Sequence, residues 1–318
     1  MTEILMLCGY QGCGKSTYIK QNYPNNPIII SNDILGNKKK SLEELEKVLS
    51  NKENDNKQII IDNTNITSDV RKEFLNVINK YGRKCALTIF QSTIEDCQVR
   101  VLHRQYERYQ TIFFDRIPED IKDPGIFPIA ALFSARKQYQ KPVLEEGFIR
   151  IDTVIPVPLD FSDYPNKAVF FDIDGTLRQT EHLKNKYPTK PDEVILLRPK
   201  SFMNEIIGQY RKMGYKFFGV SNQSGIAKGI ITAEECDRCM DKVKELLEFD
   251  DLEIKYCPHQ SVPITCYCRK PQSGIGMYFI EKYKVDPKKS IMVGDMTTDK
   301  SFATRLGMTF IYSDKFFS

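Results

Sequence analysis

Ile4-Leu-Met-Leu-Cys-Gly-Tyr-Gln-Gly-Cys-Gly-Lys-Ser-Thr17 is the stretch whose reading decides the first half of the chain. Its opening five residues are a continuous apolar run, the pattern of a strand buried on both faces of a parallel sheet. The nine residues from Gly9 to Thr17 satisfy G-x-x-x-x-G-K-[ST] in the strand-then-helix context that gives this pattern meaning. Gly9, Gly12 and Gly14 let backbone N–H groups close around phosphate oxygens, and the following helix N-terminus adds its dipole. Lys15 reaches the β- and γ-phosphates, and the Ser16 hydroxyl, followed by Thr17, ligates Mg²⁺. The stretch predicts a nucleoside triphosphate site.

The same strand signature recurs outward from this point. Pro27-Ile-Ile-Ile30, Gln58-Ile-Ile-Ile61 and Cys85-Ala-Leu-Thr-Ile-Phe90 predict three further strands, with a capping box at Ser41-Leu-Glu-Glu44 opening one helix and residues 68–80 forming another. The alternation returns with Lys167-Ala-Val-Phe-Phe171, Tyr215-Lys-Phe-Phe-Gly-Val220, Leu252-Glu-Ile-Lys-Tyr256, Ser290-Ile-Met-Val293 and Met308-Thr-Phe-Ile-Tyr312. Two α/β units in tandem are expected. The proline-spaced segment holding Pro156, Pro158 and Pro165 suits a stiff linker, so the division reads 1–155, 156–166 and 167–318. The 318 residues agree with about two domains at roughly 150 residues each.

Composition excludes more than it assigns. With 41% hydrophobic and 28% charged residues the chain is far from disordered or fibrous extremes. Three histidines leave little room for chemistry that needs several imidazoles, and a net charge of +4 neither requires nor opposes a nucleic-acid partner. Nine cysteines, an odd number, point to a reducing compartment rather than a disulfide framework. The strand pattern beginning at Ile4 leaves no room for a secretory signal, and no apolar run approaches the ~20 residues of a membrane span. A cytoplasmic or nuclear protein with no membrane partner is expected.

The first half also carries groups for the acceptor side of a phosphoryl transfer. Ser31-Asn32-Asp33 stands at the rim of the second strand, where the Asp33 carboxylate either takes the proton of an attacking hydroxyl or caps a helix. Asp62, ending the third strand, either holds Mg²⁺ or its water or caps the following helix. Arg100, Arg104 and Arg108 recur on one helical face, as a solvated face or an arginine lid. Taken together these residues resemble the kinase domain of polynucleotide kinases over roughly residues 1–155. The resemblance implies ATP as donor, Asp33 as the general base that activates a 5′-hydroxyl, and Lys15, Arg104 and Arg108 as the groups that stabilise the transferring charge. Asn32 stands where family enzymes carry an arginine before the base.

In the second half, Phe171-Asp172-Ile-Asp174-Gly-Thr-Leu177 ends a strand with two carboxylates one residue apart. Asp172 can attack phosphorus and ligate Mg²⁺, while Asp174 protonates the leaving oxygen and then activates water. Ser221 after the next strong strand, Lys270 in Arg269-Lys-Pro271, and Asp295 in Gly294-Asp-Met-Thr-Thr-Asp299 follow in the order of the haloacid dehalogenase (HAD) phosphatase motifs. That resemblance covers residues 166–318 and implies a HAD-like Rossmannoid sheet with a minimal cap beside the parallel P-loop kinase sheet. It implies that Asp172, the Asp174 carbonyl and Asp295 bind Mg²⁺, and that Ser221 and Lys270 hold phosphate oxygens. Cys257, His259, Cys266 and Cys268 form a Cys₃His set of the kind that closes a structural Zn²⁺ site. This run is similar to the zinc loop of histidinol-phosphate and heptose-bisphosphate phosphatases, which the animal polynucleotide phosphatases lack. Cys236 and Cys239 follow a helix start and read as packing residues.

The resemblances together imply an end-healing enzyme whose partners are nucleic-acid ends bearing a 5′-hydroxyl and a 3′-phosphate, with a ligase to join them. DNA and RNA ends remain equally open. A bifunctional small-molecule kinase and sugar- or histidinol-phosphate phosphatase is the alternative.

Overall fold

The computed structural model of the chain describes residues 2–180, 182–183 and 187–318. The chain folds into two compact units, the first formed by Met1–Arg100 with Lys122–Pro158 and the second by Val101–Ile121 with Leu159–Ser318. Among the described residues no helix is long and apolar enough to cross a membrane.

The first unit is a parallel sheet of five strands, β1 (Ile4–Cys8), β2 (Ile28–Ile30), β3 (Ile59–Asp62), β4 (Cys85–Phe90) and β5 (Arg150–Val154), ordered β2-β3-β1-β4-β5. The apolar run of β1 follows from its central place. Ile4, Met6 and Cys8 pack under the helices Lys38–Ser50 and Ser68–Lys80, whereas Leu5 and Leu7 face Ile19, Ile94, Cys97 and Leu132 on the other side. The sequence pattern missed β5, because Arg-Ile-Asp-Thr-Val is an edge strand whose residues are only partly buried. The first long helix also begins earlier than its expected capping box. Asn37 is the cap, accepting from the Lys40 N–H at 3.0 Å, while Ser41 is buried and donates to Asn32 Oδ1 at 2.8 Å.

One buried charge ties the crest of this unit together. Arg71 is fully buried and pairs with both Glu146 oxygens at 2.7 Å while donating to the Asn65 and Gln140 carbonyls at 3.0 Å. Asn65 itself sits at φ 47°, just past β3.

The second unit repeats the architecture with β6 (Lys167–Phe171), β7 (Tyr215–Asn222), β8 (Leu252–Cys257), β9 (Ile291–Gly294) and β10 (Thr309–Tyr312), all parallel and ordered β10-β9-β6-β7-β8. Val169 and Phe171 of the central strand meet Met203, Ile207, Met240 and Val243 on one face. On the other face Phe218 stacks on Phe279 with centroids 4.3 Å apart, and Phe170 meets Phe279 edge-on. Cys236 and Cys239 are buried in the first of these clusters, as packing residues. The Thr232 hydroxyl accepts from the Glu235 N–H at 3.1 Å to cap their helix.

A contiguous division into 1–155, 156–166 and 167–318 does not describe how residues 101–121 pack. The helix Ile94–Tyr109 contributes Ile94 and Cys97 to the first unit, while its residues from Val101 onward belong to the second. The physical reason is a buried polar anchor. The Glu281 carboxylate, in the helix Gly274–Tyr283, accepts from His103 Nδ1 at 2.6 Å and from Tyr164 Oη at 2.8 Å. Tyr164, read from the sequence as linker, is thus part of the second unit.

Two outcomes follow from these anchors. Arg71→Ala leaves Glu146 without its partner and should destabilise the first unit by about 3–5 kcal/mol, read from its urea unfolding midpoint. Burial works against a charged His103, but the hydrogen bond and charge of Glu281 outweigh it and hold the imidazole above its ordinary value of 6.5. A raised histidine contributes its full stability below about 6.5 and loses it as pH rises through the folded value. The difference in urea midpoint between the native chain and His103→Gln should therefore be largest near pH 6 and shrink toward pH 8.5.

Candidate active sites

In the first unit, the loop from β1 closes on the helix Lys15–Asn22. Gly14 occupies its N-cap at φ 102°, in the left-handed region that glycine enters without strain, and Gly12 is also at positive φ. Lys15 Nζ donates to the Gly9 and Tyr10 carbonyls at 3.1 and 2.9 Å, so the ammonium is held against the loop itself. Ser16 Oγ donates to Asp62 Oδ2 at 3.2 Å, while Ser16 and Thr17 are solvent-exposed at the start of the helix.

This contact bears on the helix-capping role expected of Asp62. The helix after β3 is capped by Thr67, not by Asp62, and the carboxylate faces the hydroxyl that would share a cation with it. Burial pushes the Asp62 carboxyl above its ordinary value; Lys15 and the Ser16 hydrogen bond oppose this, and the charge of Asp33 adds to it. Asp33 therefore lies close enough for its charge to be felt at Asp62. It is exposed in the short helix Asn32–Leu35, whose cap is the Ser31 hydroxyl, accepting from the Asp33 N–H at 3.2 Å. Asn63 Oδ1 accepts from the Asn32 N–H at 2.7 Å and fixes the β2 loop to the β3 loop.

The three arginines do not share one setting. Arg100 donates to Ser92 Oγ and to the Pro156 and Val157 carbonyls at 3.2–3.4 Å, all within the first unit. Arg104 and Arg108 lie on the stretch of helix that packs with the second unit.

In the second unit the carboxyl ends of β6, β7 and β9 converge. Lys270 is buried between Asp172 and Asp299, bonding Asp172 Oδ1 directly and lying 2.8 Å from Asp299 Oδ1. Burial raises the Asp172 carboxyl, with Lys270 opposing and Asp299 and Asp174 adding to the rise. Burial would lower Lys270, but the charges of Asp172 and Asp299 outweigh it, so the ammonium stays above its ordinary value. A divalent cation would meet three acids here. Carboxylate oxygens of Asp172, Asp295 and Asp299 lie within 4.8 Å of one another, a donor set that suits a hard cation. The sequence had left the part of Asp299 open; its burial and this convergence place it in the cluster.

Asp174 is held from a direction the sequence did not reveal. Buried Arg178 donates to its two oxygens at 2.9 and 3.2 Å, Gln223 Nε2 donates at 2.7 Å, and Ser221 Oγ lies 3.3 Å away. Gln223 also donates to Ser221 Oγ at 2.7 Å. Arg178 sits four residues beyond Asp174, a spacing that was legible, but only the folded turn brings its guanidinium onto the carboxylate.

The Cys₃His set also comes together. Cys257 Sγ lies 3.7 Å from Cys266 Sγ and 3.5 Å from His259 Nδ1, which is 3.3 Å from Cys268 Sγ. A tetrahedral zinc ion with ordinary bond lengths would have S···S edges of about 3.8 Å and S···N edges of about 3.5 Å. The donor set fits such an ion in chemistry and in size.

Comparison with known proteins finds a family model for each half of the chain. Residues 4–117 match the family model described as an AAA domain, and residues 167–318 match the one described as polynucleotide kinase 3 phosphatase. The D-glycero-beta-D-manno-heptose-1,7-bisphosphate 7-phosphatase of Haemophilus influenzae is 36% identical over 145 residues, 42% of this chain and 73% of that protein. The histidine biosynthesis bifunctional protein HisB of Legionella pneumophila is 30% identical over 148 residues, 46% of this chain and 40% of its own. Among solved structures, a fungal RNA kinase is similar at 16% identity and a TM-score of 0.36, over 51% of this chain and 79% of its own. The chain joins a kinase-type P-loop domain to a HAD-like phosphatase domain. Through residues 167–318 it belongs to the phosphatase family that these matches define.

The geometry around Gly175 makes a local test. At φ 82° this glycine passes so close to Asp295 that an added Cβ would lie 2.9 Å from its Cγ. Gly175→Ala should displace Asp295 and lower phosphatase turnover by roughly 10²-fold, with phosphoryl transfer by the first unit unchanged in the same preparation.

Proposed function

We propose that the chain heals nucleic-acid ends, transferring the γ-phosphoryl group of ATP to a 5′-hydroxyl in its first unit and removing a 3′-phosphate in its second. One observation carries this reading: a domain matching the polynucleotide 3′-phosphatase family model shares its chain with a triphosphate loop, and an exposed carboxylate, Asp33, stands just past the end of β2 in the same sheet. Two opposed reactions on one hydroxyl would cancel; on two ends of one broken strand they are complementary.

In the first unit, Lys15 and the loop N–H groups bind the triphosphate, and Asp33 accepts the proton of the attacking 5′-hydroxyl. Ser16 and Asp62 would hold Mg²⁺. In the second unit, an oxygen of Asp172 attacks phosphorus and the bond to the 3′-oxygen breaks, while Asp174 gives that oxygen a proton. Asp174 then takes a proton from water, whose oxygen attacks the aspartyl phosphate, releasing inorganic phosphate and restoring Asp172. Ser221 and Lys270 hold phosphate oxygens during both steps. Asp172, Asp295 and Asp299, with the Asp174 carbonyl, would hold Mg²⁺, which when bound offsets charge on the phosphoryl oxygens. Cys257, His259, Cys266 and Cys268 would hold a structural zinc ion. A ligase that joins the healed ends is the expected partner, and a cytoplasmic or nuclear setting goes with such a substrate.

The 36% identity to a heptose-bisphosphate phosphatase favours a second reading, in which the phosphatase acts on a small sugar phosphate. The two separate in one experiment with the intact protein, a 5′-hydroxyl, 3′-phosphate oligonucleotide and a panel of sugar and histidinol phosphates. Transfer of labelled γ-phosphate to the oligonucleotide together with phosphate release from its 3′ end is the expected result. Turnover of only the small phosphates would overturn it. Asp33→Ala should lower 5′-phosphorylation by roughly 10²–10⁴-fold while ATP still binds and 3′-phosphate release continues.

A further inference from the structure

The imidazole of His259 has two nitrogens with different surroundings. Nδ1 faces Cys257 and Cys268. Nε2 points the other way and meets Asp115 Oδ2 at 2.9 Å. Asp115 comes from residues 101–121, far from the metal-ligand loop in sequence and entered from the strands of the first half. Its other oxygen accepts from the Arg116 N–H at 2.9 Å, which fixes the carboxylate in place. One residue earlier, the Phe114 carbonyl accepts from the Tyr267 N–H at 2.6 Å, and Tyr267 lies between Cys266 and Cys268. Two independent hydrogen bonds therefore join the 114–115 turn to the metal-ligand loop.

Resting on the zinc assignment above, we infer that Asp115 is the outer carboxylate of the zinc site, and that the metal thereby fastens residues 101–121 to the phosphatase unit. The physics is that of a metal-bound imidazole. Its distal N–H needs an acceptor to fix tautomer and ring orientation, and a carboxylate there raises the basicity of the ligating nitrogen. With zinc on Nδ1, the Nε2–H donates to Asp115. The segment so fastened carries His103, which bonds Glu281, and the stretch of helix bearing Arg104 and Arg108. Asp115 is a positioning residue, acting through His259. The carboxylate is half-exposed, so the bond by itself gives little to folding, and its effect is on metal retention.

The test uses the intact purified protein. Metal content is measured by elemental analysis, and zinc release is followed with an excess of a chromogenic chelator. One zinc per chain is expected in the native protein, in Asp115→Asn and in Asp115→Ala, with unchanged thermal midpoints. Release should be tenfold or more faster in Asp115→Ala and intermediate in Asp115→Asn, whose amide oxygen still accepts the Nε2–H without the charge. In the native protein, chelation should also speed tryptic cleavage after Arg116. Absence of zinc from native protein that Zn²⁺ cannot restore would overturn the zinc assignment, and the inference with it. Full zinc content with equal release rates in all three proteins would overturn the role of Asp115 while leaving the metal site standing. Cleavage after Arg116 that ignores chelation would overturn the fastening of the segment.

Discussion

Both units depend on one constraint, a parallel sheet buried on both faces. Such a sheet satisfies its backbone groups in ladders along its length, and what it cannot satisfy emerges at the strand ends. The connections that leave the carboxyl ends carry the candidate site residues: Gly9 to Ser16 after β1, Ser31 to Asp33 after β2, and Asp62 closing β3. The second sheet repeats this with Asp172 and Asp174 after β6, Ser221 near the end of β7 and Asp295 after β9. In each sheet the strand bearing the first motif is central, flanked on both sides, which puts its loop between the loops of its neighbours.

The reactive groups are then set by electrostatics at short range. Around Asp172 the sheet gathers three acids and one buried lysine, an arrangement that is costly unless the charges offset one another. Lys270 supplies part of that compensation. Asp174 has partners of its own, Arg178 and Gln223. Two carboxylates one residue apart thus occupy different electrostatic surroundings.

The path of residues 101–121 changes how the tandem order should be understood. A helix that starts against the first sheet ends among residues of the second unit, held by a fully buried Glu281 and by contacts to the loop of Cys257, His259, Cys266 and Cys268. The arginines expected of a kinase lid are on that stretch. The two α/β units are consecutive in sequence pattern but interleaved in folding.

The sequence by itself determined the strands with continuous apolar runs, the triphosphate loop, the Asp172–Asp174 pair and the Cys₃His cluster. Each of these is encoded within a dozen residues, by a period of burial or by the fixed spacing of donors. Only the tertiary structure decided the rest. The strand β5 lacks a continuous apolar run, its residues being exposed or only partly buried. The contact of Asp62 rested on a hydroxyl 46 residues away, the start of the helix Lys38–Ser50 on Ser41 being drawn to Asn32, and the surroundings of Asp174 on Gln223. The partner of His259 comes from 144 residues earlier. Contacts of that separation leave no periodicity in the chain, because they are fixed by how sheets and helices pack rather than by the residues that flank them.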